Sequence, residues 1–268
     1  MTKLSLMNRI NLVLPAAGLG SRFRDVGELR PKPLIPVFDL PMIMWVLLNF
    51  PLRSEDKVWI ISQIKDCIPD AIRHLSSTLP LEVDFLEIDG LTEGPASTVN
   101  LVLKNLPDNE GLIVANTDQY VFADLRPFVD LVRSNSCAGQ ILTMHASSNA
   151  WSYVGRDLNG KINRVIEKVE ISNEATVGVY GWATVKLAKS AFEDTFERNI
   201  RTNNEFYVAP TYNYLIDQGL TVETCSVGDH GKAVHGLGIP VDLESFLNNP
   251  DAGRIAKRYR RELALGEL

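Results

Sequence analysis

The sequence predicts an α/β sandwich with a mostly parallel central sheet and antiparallel additions in its second half. Three observations predict it. Through the first half, short runs of β-branched and apolar residues alternate with segments of helical period, the pattern of parallel strands joined by crossover helices. Beyond residue 150 the pattern changes to paired strands around Asp157-Leu158-Asn159-Gly160, a turn with the Asn-Gly chemistry that hairpins favour. Finally, 268 residues, 45% hydrophobic and 22% charged, with no repeat, low-complexity segment or composition shift, suit one domain over residues 1–268 with a large core.

In chain order, residues 10–14 read as the first strand and 42–49 as a helix. Strands at 57–61, 82–87, 112–115 and 139–144 then alternate with helices at 68–76, 96–103 and 125–134. The hairpin pairs 153–156 with 162–167, and 175–183 reads as a further strand. Helices near 187–198 and 208–218, a strand at 220–227, and helices near Leu243 and Ile255 complete the chain. In an open α/β sheet, ligands sit beyond the carboxyl ends of the strands, so the residues that follow each strand matter most.

Composition narrows the function classes. A net charge of -6 and a pI near 5.3 supply no basic face for displacing counterions, which argues against nucleic acid as a partner. The strongest apolar run, residues 42–50, is far short of the roughly 20 residues that span a bilayer, so no membrane partner is expected. Residues 1–9 mix Lys3, Asn8 and Arg9 with apolar side chains and lack a signal-peptide pattern, pointing to the cytoplasm. Cys67, Cys137 and Cys225 are widely spaced with no C-x-x-C pair and read as buried reduced thiols. Lys257-Arg258-Tyr259-Arg260-Arg261 is basic but reads as a solvated helical face.

The first strand leads into Leu14-Pro15-Ala16-Ala17-Gly18-Leu19-Gly20-Ser21-Arg22-Phe23, followed after a short gap by Arg30-Pro31-Lys32-Pro33-Leu34. Small residues let backbone N–H groups approach an anion, and Arg22 and Lys32 add full charges, so the loop can grip phosphate. It is not a Walker A loop, having no Gly-Lys-Ser/Thr, and Phe23 stands where a dinucleotide fingerprint needs its third glycine.

Ala17-Gly18-Leu19-Gly20-Ser21-Arg22, then Pro31-Lys32-Pro33-Leu34-Ile35-Pro36-Val37, then Leu40-Pro41-Met42-Ile43, resemble the signature of the sugar-phosphate nucleotidyltransferases, the nucleoside-diphosphate-sugar pyrophosphorylases. Weaker matches extend the resemblance to about Leu243. It implies a Rossmann-like three-layer sandwich, Mg²⁺ as cofactor, and transfer of a nucleotidyl group to a phosphorylated small molecule, with nucleotide binding in about residues 8–150, acceptor binding in about 151–245 and a C-terminal helix at about 250–265. A homo-oligomer is left open. By the resemblance Arg22 and Lys32 are catalytic, stabilising the pentacoordinate phosphorus and holding triphosphate and acceptor phosphate, while Ala16, Ala17, Gly18, Gly20 and Ser21 line the nucleotide. Asp118 matches the family's metal aspartate, with Thr117 replacing the usual glycine. A hard Mg²⁺ suits such a carboxylate beside phosphates.

The family's second metal aspartate falls at Gly236, so one carboxylate suffices or His235 or Asp229 contributes. Glu93-Gly94-Pro95-Ala96-Ser97-Thr98 resembles the second nucleotide loop, with Gly94 permitting close approach of a base. Asp89 stands where many relatives carry a glutamine that reads a pyrimidine; a carboxylate only accepts, which suits the exocyclic amine of cytosine and points to CTP. Ile166-Glu167-Lys168 resembles the acceptor-facing Glu-Lys-Pro element, with Val169 replacing proline, and Gly178 in Thr176-Val177-Gly178-Val179-Tyr180 the acceptor-facing glycine. Asn203-Asn204-Glu205-Phe206-Tyr207 is expected to open a helix; Glu205 is taken as acceptor-binding, while Asn203 reads equally as a cap and Tyr207 as core. CTP, UTP or dTTP with a sugar 1-phosphate is the expected pair. Phosphocholine or a phosphorylated amino acid, a silent nucleotide-sugar-binding regulator, and a glycosyltransferase for which Asn116-Thr117-Asp118 is only a partial Asp-x-Asp motif remain as alternatives.

Overall fold

The computed structural model describes residues 8–265, so the leader-free reading of residues 1–9 falls mostly outside the described residues. Strand Ile10–Pro15 lies centrally in a nine-stranded sheet, parallel to Lys57–Gln63 on one side and to Gly111–Ala115 on the other. Lys57–Gln63 in turn pairs in parallel with Glu82–Ile88. Beside Gly111–Ala115, strand Glu174–Trp182 runs antiparallel. Gly139–His145 pairs antiparallel with that strand and carries Val222–Asp229 in parallel. The hairpin of Ser152–Arg156 and Ile162–Glu167 joins Glu174–Trp182 at Ala175.

The central strands are buried on both faces, as expected where helices cover both sides of a parallel sheet. Alternate residues divide between two cores: Ile10, Leu12 and Leu14 face one, and Val13 faces the other. In the same way Ile113 and Ala115 face the first core, Leu112 and Val114 the second. Helices Met42–Leu47, Ile68–Ser76, Arg126–Ser134 and Pro250–Leu265 pack on the first core, and Pro95–Leu103, Val185–Glu197 and Tyr212–Asp217 on the second. Three layers result. The basic stretch of residues 257–261 lies on the last helix, where Tyr259 turns inward to donate to the Leu48 carbonyl.

At the amino ends of the strands, Asp56 and Arg133 form a buried bidentate pair at 2.6 and 2.9 Å. Asp56 also accepts from the Ile10 and Arg53 backbone N–H groups, so it fixes the start of the central strand. Removing the carboxylate leaves a guanidinium uncompensated in the core, a defect that costs about 3–5 kcal/mol. Asp56→Ala is therefore expected to destabilise the fold by that amount in denaturant unfolding. A loss below about 1 kcal/mol would mean that water reaches Arg133.

Several expectations need correction. Residues 202–207 do not open a helix: Thr202 and Glu205 exchange backbone hydrogen bonds at 3.0 Å across Asn203 and Asn204, both at positive φ. Two successive Asn residues suit that primed hairpin turn, and the same residue type that caps helices here supplies left-handed backbone. Accordingly the segment expected at 208–218 begins as a 3₁₀ turn, Ala209–Thr211, before helix Tyr212–Asp217. Cys137 is buried as expected, but Cys225 is only partly covered and Cys67 is exposed at a left-handed helix start. Among the described residues no helix is long and apolar enough to cross a membrane.

Candidate active site

The phosphate-type loop leaves the central strand under tight control. Ala16 N–H donates to the Ile61 carbonyl at 2.7 Å, and the buried Gln63 amide donates to the Ala17 carbonyl at 2.6 Å. Gly18 is exposed with open space around it, and Gly20 adopts φ 61° as it starts the single helical turn Ser21–Arg24. That left-handed conformation suits glycine, and a Cβ there would lie only 2.9 Å from the Lys32 Cβ. Gly20 is thus the seat against which Lys32 packs. Lys32 opens a 3₁₀ turn between Pro31 and Pro33, whose fixed φ values limit the paths available to it.

From that seat the Lys32 ammonium reaches Asp118 and donates to its Oδ2 at 2.5 Å. Asp118 follows strand Gly111–Ala115 and projects from the turn before the short ladder of Gln119–Val121 with Val234–Gly236. Both side chains are about one-fifth to one-quarter exposed, at 21% and 24%. A cation and a carboxylate, 86 positions apart in sequence, therefore meet beyond the carboxyl ends of two adjacent parallel strands.

A second group gathers around Tyr207. Lys168, at φ 58°, donates from Nζ to the Tyr207 hydroxyl and lies 4.3 Å from the ring centre. Tyr207 donates to Glu205 Oε2 at 2.7 Å. Partial burial and the Glu205 carboxylate push the Tyr207 hydroxyl above its ordinary pKa, with the Arg22 guanidinium pulling the other way. Arg22 is exposed and faces this group electrostatically. Neighbouring Glu167 is buried and accepts from the Ser152 hydroxyl. Thus Arg22, Glu167, Lys168 and Glu205 come together, and sequence reasoning missed Ser152 and left Tyr207 undecided. The spacing of Tyr207 two residues after Glu205 was the available signal.

Burial raises the Glu167 carboxyl above its usual value, with the Ser152 hydroxyl and Lys168 lowering it and Glu205 raising it. The folded chain therefore holds this proton more tightly than the unfolded chain does, so stability falls as pH rises through the raised value, and the penalty is complete above it. Glu167→Gln is expected to raise Tm relative to the parent at neutral pH, with the gain vanishing below about pH 4. Melts at both pH values check it, and an equal shift at both would contradict it.

Gly178 sits at a bulge in strand Glu174–Trp182 with φ 81°, where a Cβ would collide with the Asn116 amide and come within 3.1 Å of Gln119 Oε1. Its carbonyl accepts from Asn116 N–H at 2.8 Å, tying strand Glu174–Trp182 to the Asp118 turn. The buried Gln119 Oε1 has no hydrogen-bond partner among the described residues. At Gly94, the group that approaches closely is the chain's own backbone: a Cβ would lie 2.6 Å from the Phe206 carbonyl oxygen. Phe206 N–H donates to Glu93 and Ala96 N–H to Phe206, clamping the loop to the Glu205 turn. Asp89 is exposed in a bend after strand Glu82–Ile88 and makes no hydrogen bond or ion pair among the described residues.

A divalent metal fits Asp118. Its oxygen occupies space that glycine at position 238 leaves free, and a carboxylate beside a phosphate-type loop is the oxygen ligand that a hard divalent ion takes. Both suggested helpers have other partners. The His235 ring contacts the Lys232 carbonyl at 3.2 Å and packs edge-on to Phe122, and burial lowers its pKa. Asp229 is engaged by His145 at 3.3 Å and Lys232 at 3.1 Å.

The fold is shared with solved structures. A nucleoside-diphosphate-sugar pyrophosphorylase from Vibrio cholerae RC9 superposes with TM-score 0.72 at 22% identity, covering 89% of this chain and 100% of that one. A Bacillus anthracis protein named as a glucose-1-phosphate thymidylyltransferase gives 0.72 at 18%, covering 92% and 95%, and the inositol-1-phosphate CTP transferase from T. maritima gives 0.68 at 14%, covering 95% and 97%. A search of curated proteins finds no match by sequence. The family model for nucleotidyl transferases matches residues 11–213, which span the glycine loop, Lys32, Asp118 and the Glu167–Lys168 and Glu205 turns, and the chain belongs to the nucleotidyl transferase family.

Proposed function

We propose that the chain joins a nucleoside triphosphate to a sugar 1-phosphate and releases pyrophosphate, using Mg²⁺. The observation that carries this reading is the 2.5 Å contact between Lys32 and Asp118 beside the glycine loop, because it gathers a phosphate-binding cation and a metal-type carboxylate in one place. An acceptor phosphate oxygen attacks the α-phosphorus, and the bond to the bridging oxygen breaks so that pyrophosphate leaves in line. No covalent nucleophile or general base is needed. The obstacle is charge: two unit charges about 4 Å apart repel by about 4 kcal/mol at an effective dielectric of 20. Main-chain groups of Ala16, Ala17, Gly18, Gly20 and Ser21 receive the triphosphate, Lys32 bridges it to the acceptor phosphate, and Arg22 meets the charge that grows on the leaving group. When bound, Mg²⁺ on Asp118 neutralises phosphate charge. Lys168 neutralises the acceptor phosphate, Glu167 and Glu205 read sugar hydroxyls, and the Gly178 bulge shapes that pocket. The nucleotide half is about residues 8–150 and the acceptor half about 151–245, in a cytoplasmic enzyme.

Asp89, accepting from an exocyclic amine, favours CTP. The test is pyrophosphate release from purified protein with Mg²⁺, each triphosphate separately, and a panel of sugar 1-phosphates, phosphocholine and phosphorylated amino acids. Release is expected with one pyrimidine triphosphate and a sugar 1-phosphate together, and with neither alone. Preference for UTP or dTTP removes the role of Asp89. Release only with a non-sugar phosphate moves the acceptor assignment, and binding without release from any pair identifies a silent regulator.

A further inference from the structure

We infer that Asp242 supplies the carboxylate missing at position 236, reaching the metal region from the start of the following helix instead of from the strand. This rests on the metal-dependent transfer proposed above. Gly236 ends the short strand Val234–Gly236, and the next N–H, of Leu237, donates at 2.7 Å to the carbonyl of Asp118 itself. The segment 236–238 is therefore fastened to the metal-type residue. Its two glycines are two notches, and a carboxylate fills each: a Cβ on Gly238 would collide with Asp118 Oδ2, and a Cβ on Gly236 would lie 2.8 Å from Asp242 Oδ2. The Cα atoms of residues 236 and 238 are at most about 7 Å apart. Both carboxylates thus flank the same three-residue segment, one at each of its two glycines.

The chemistry of Asp242 supports the assignment. It belongs to the first turn of helix Pro240–Leu247, is partly buried, and makes no hydrogen bond or ion pair among the described residues. In the first turn, the helix dipole favours its charge. That accounts for a carboxylate at this place in the helix, but not for one directed over Gly236 instead of bonding the helix's own N–H groups. Lys32 is bonded to Asp118, leaving the second negative charge without a matched cation. Mg²⁺ is commonly held by one or two carboxylates and completed by phosphate oxygens and water. With glycine at 236, the Asp242 oxygen occupies the space where a side chain of residue 236 would begin.

The test is Mn²⁺ binding to the full chain, measured from the free-ion electron paramagnetic resonance signal and repeated with a non-hydrolysable CTP analogue. Asp118→Asn and Asp242→Asn are each expected to weaken Mn²⁺ at least about tenfold, while Asp229→Asn leaves it unchanged. Moving the carboxylate, in the double variant Gly236→Asp with Asp242→Ala, is expected to restore at least part of the affinity lost in Asp242→Ala. Circular dichroism melts check that each variant is folded. If Asp118→Asn weakens Mn²⁺ but Asp242→Asn binds as the parent does, this inference is overturned and the proposed transfer stands. If the parent binds no Mn²⁺, or neither substitution changes it, both fall.

Discussion

Lys32→Ala is expected to lower kcat/KM for nucleotidyl transfer by about 10²–10³-fold, equivalent to about 2.7–4 kcal/mol of transition-state stabilisation. The magnitude follows from where the ammonium stands. Lys32 is held on Gly20 at one end and by Asp118 at the other, so its charge is already in place when phosphate arrives. Preorganised charge costs no rearrangement at the moment of reaction, which is why removing it is expensive. Stability should barely change, since a pair that is about one-fifth exposed contributes no more than about 1 kcal/mol. Lys32→Arg should recover little, because a planar fork differs in reach and shape from a point-like ammonium on the same stem. Steady-state pyrophosphate release alongside thermal melts separates the effects, and a loss under about fivefold with unchanged Tm would remove Lys32 from the chemistry.

Much of this site was legible because the loop signatures are local. Ala17 to Arg22 and Pro31 to Leu34 each encode their own backbone through glycines and prolines, so contiguous residues announce the glycine loop and the seat of Lys32. The aliphatic strands were legible for a related reason: burial on both faces produces strongly apolar runs such as residues 112–115, and residues 10–14 broken only by Asn11. Contacts between distant segments were hidden. Nothing local to Tyr207 tells that it meets Lys168, and nothing local to Gly94 tells that Phe206 backbone fills the space beside it. The turn at residues 202–205 misled because Asn serves two purposes, capping helices and adopting left-handed backbone; the choice was made here by backbone pairing between Thr202 and Glu205. Asp242 was overlooked for a similar reason. In sequence it is an acid in the first turn of a helix, and only the notch at Gly236 gives its direction a meaning.

Asp118→Asn should produce a loss as large as that of Lys32→Ala, about 10²–10³-fold in kcat, but with a different dependence on metal. An amide preserves the shape that fits over Gly238 and can still accept from the lysine, so the fold and the seat of Lys32 survive. What disappears is the negative charge that attracts a hard cation. Raising Mg²⁺ should therefore recover part of the activity of Asp118→Asn and none of that of Lys32→Ala, whose defect is missing positive charge at a fixed point. The two residues touch, so their effects should not add: the double variant is expected to be less impaired than the product of the single losses, as for partners that share one network. Additive losses within about 0.5 kcal/mol would mean that the residues act independently, which their contact at 2.5 Å argues against. Mg²⁺ titrations of kcat for both single variants and the double variant decide the matter, and identical metal dependence in the parent and Asp118→Asn would remove the carboxylate from metal binding.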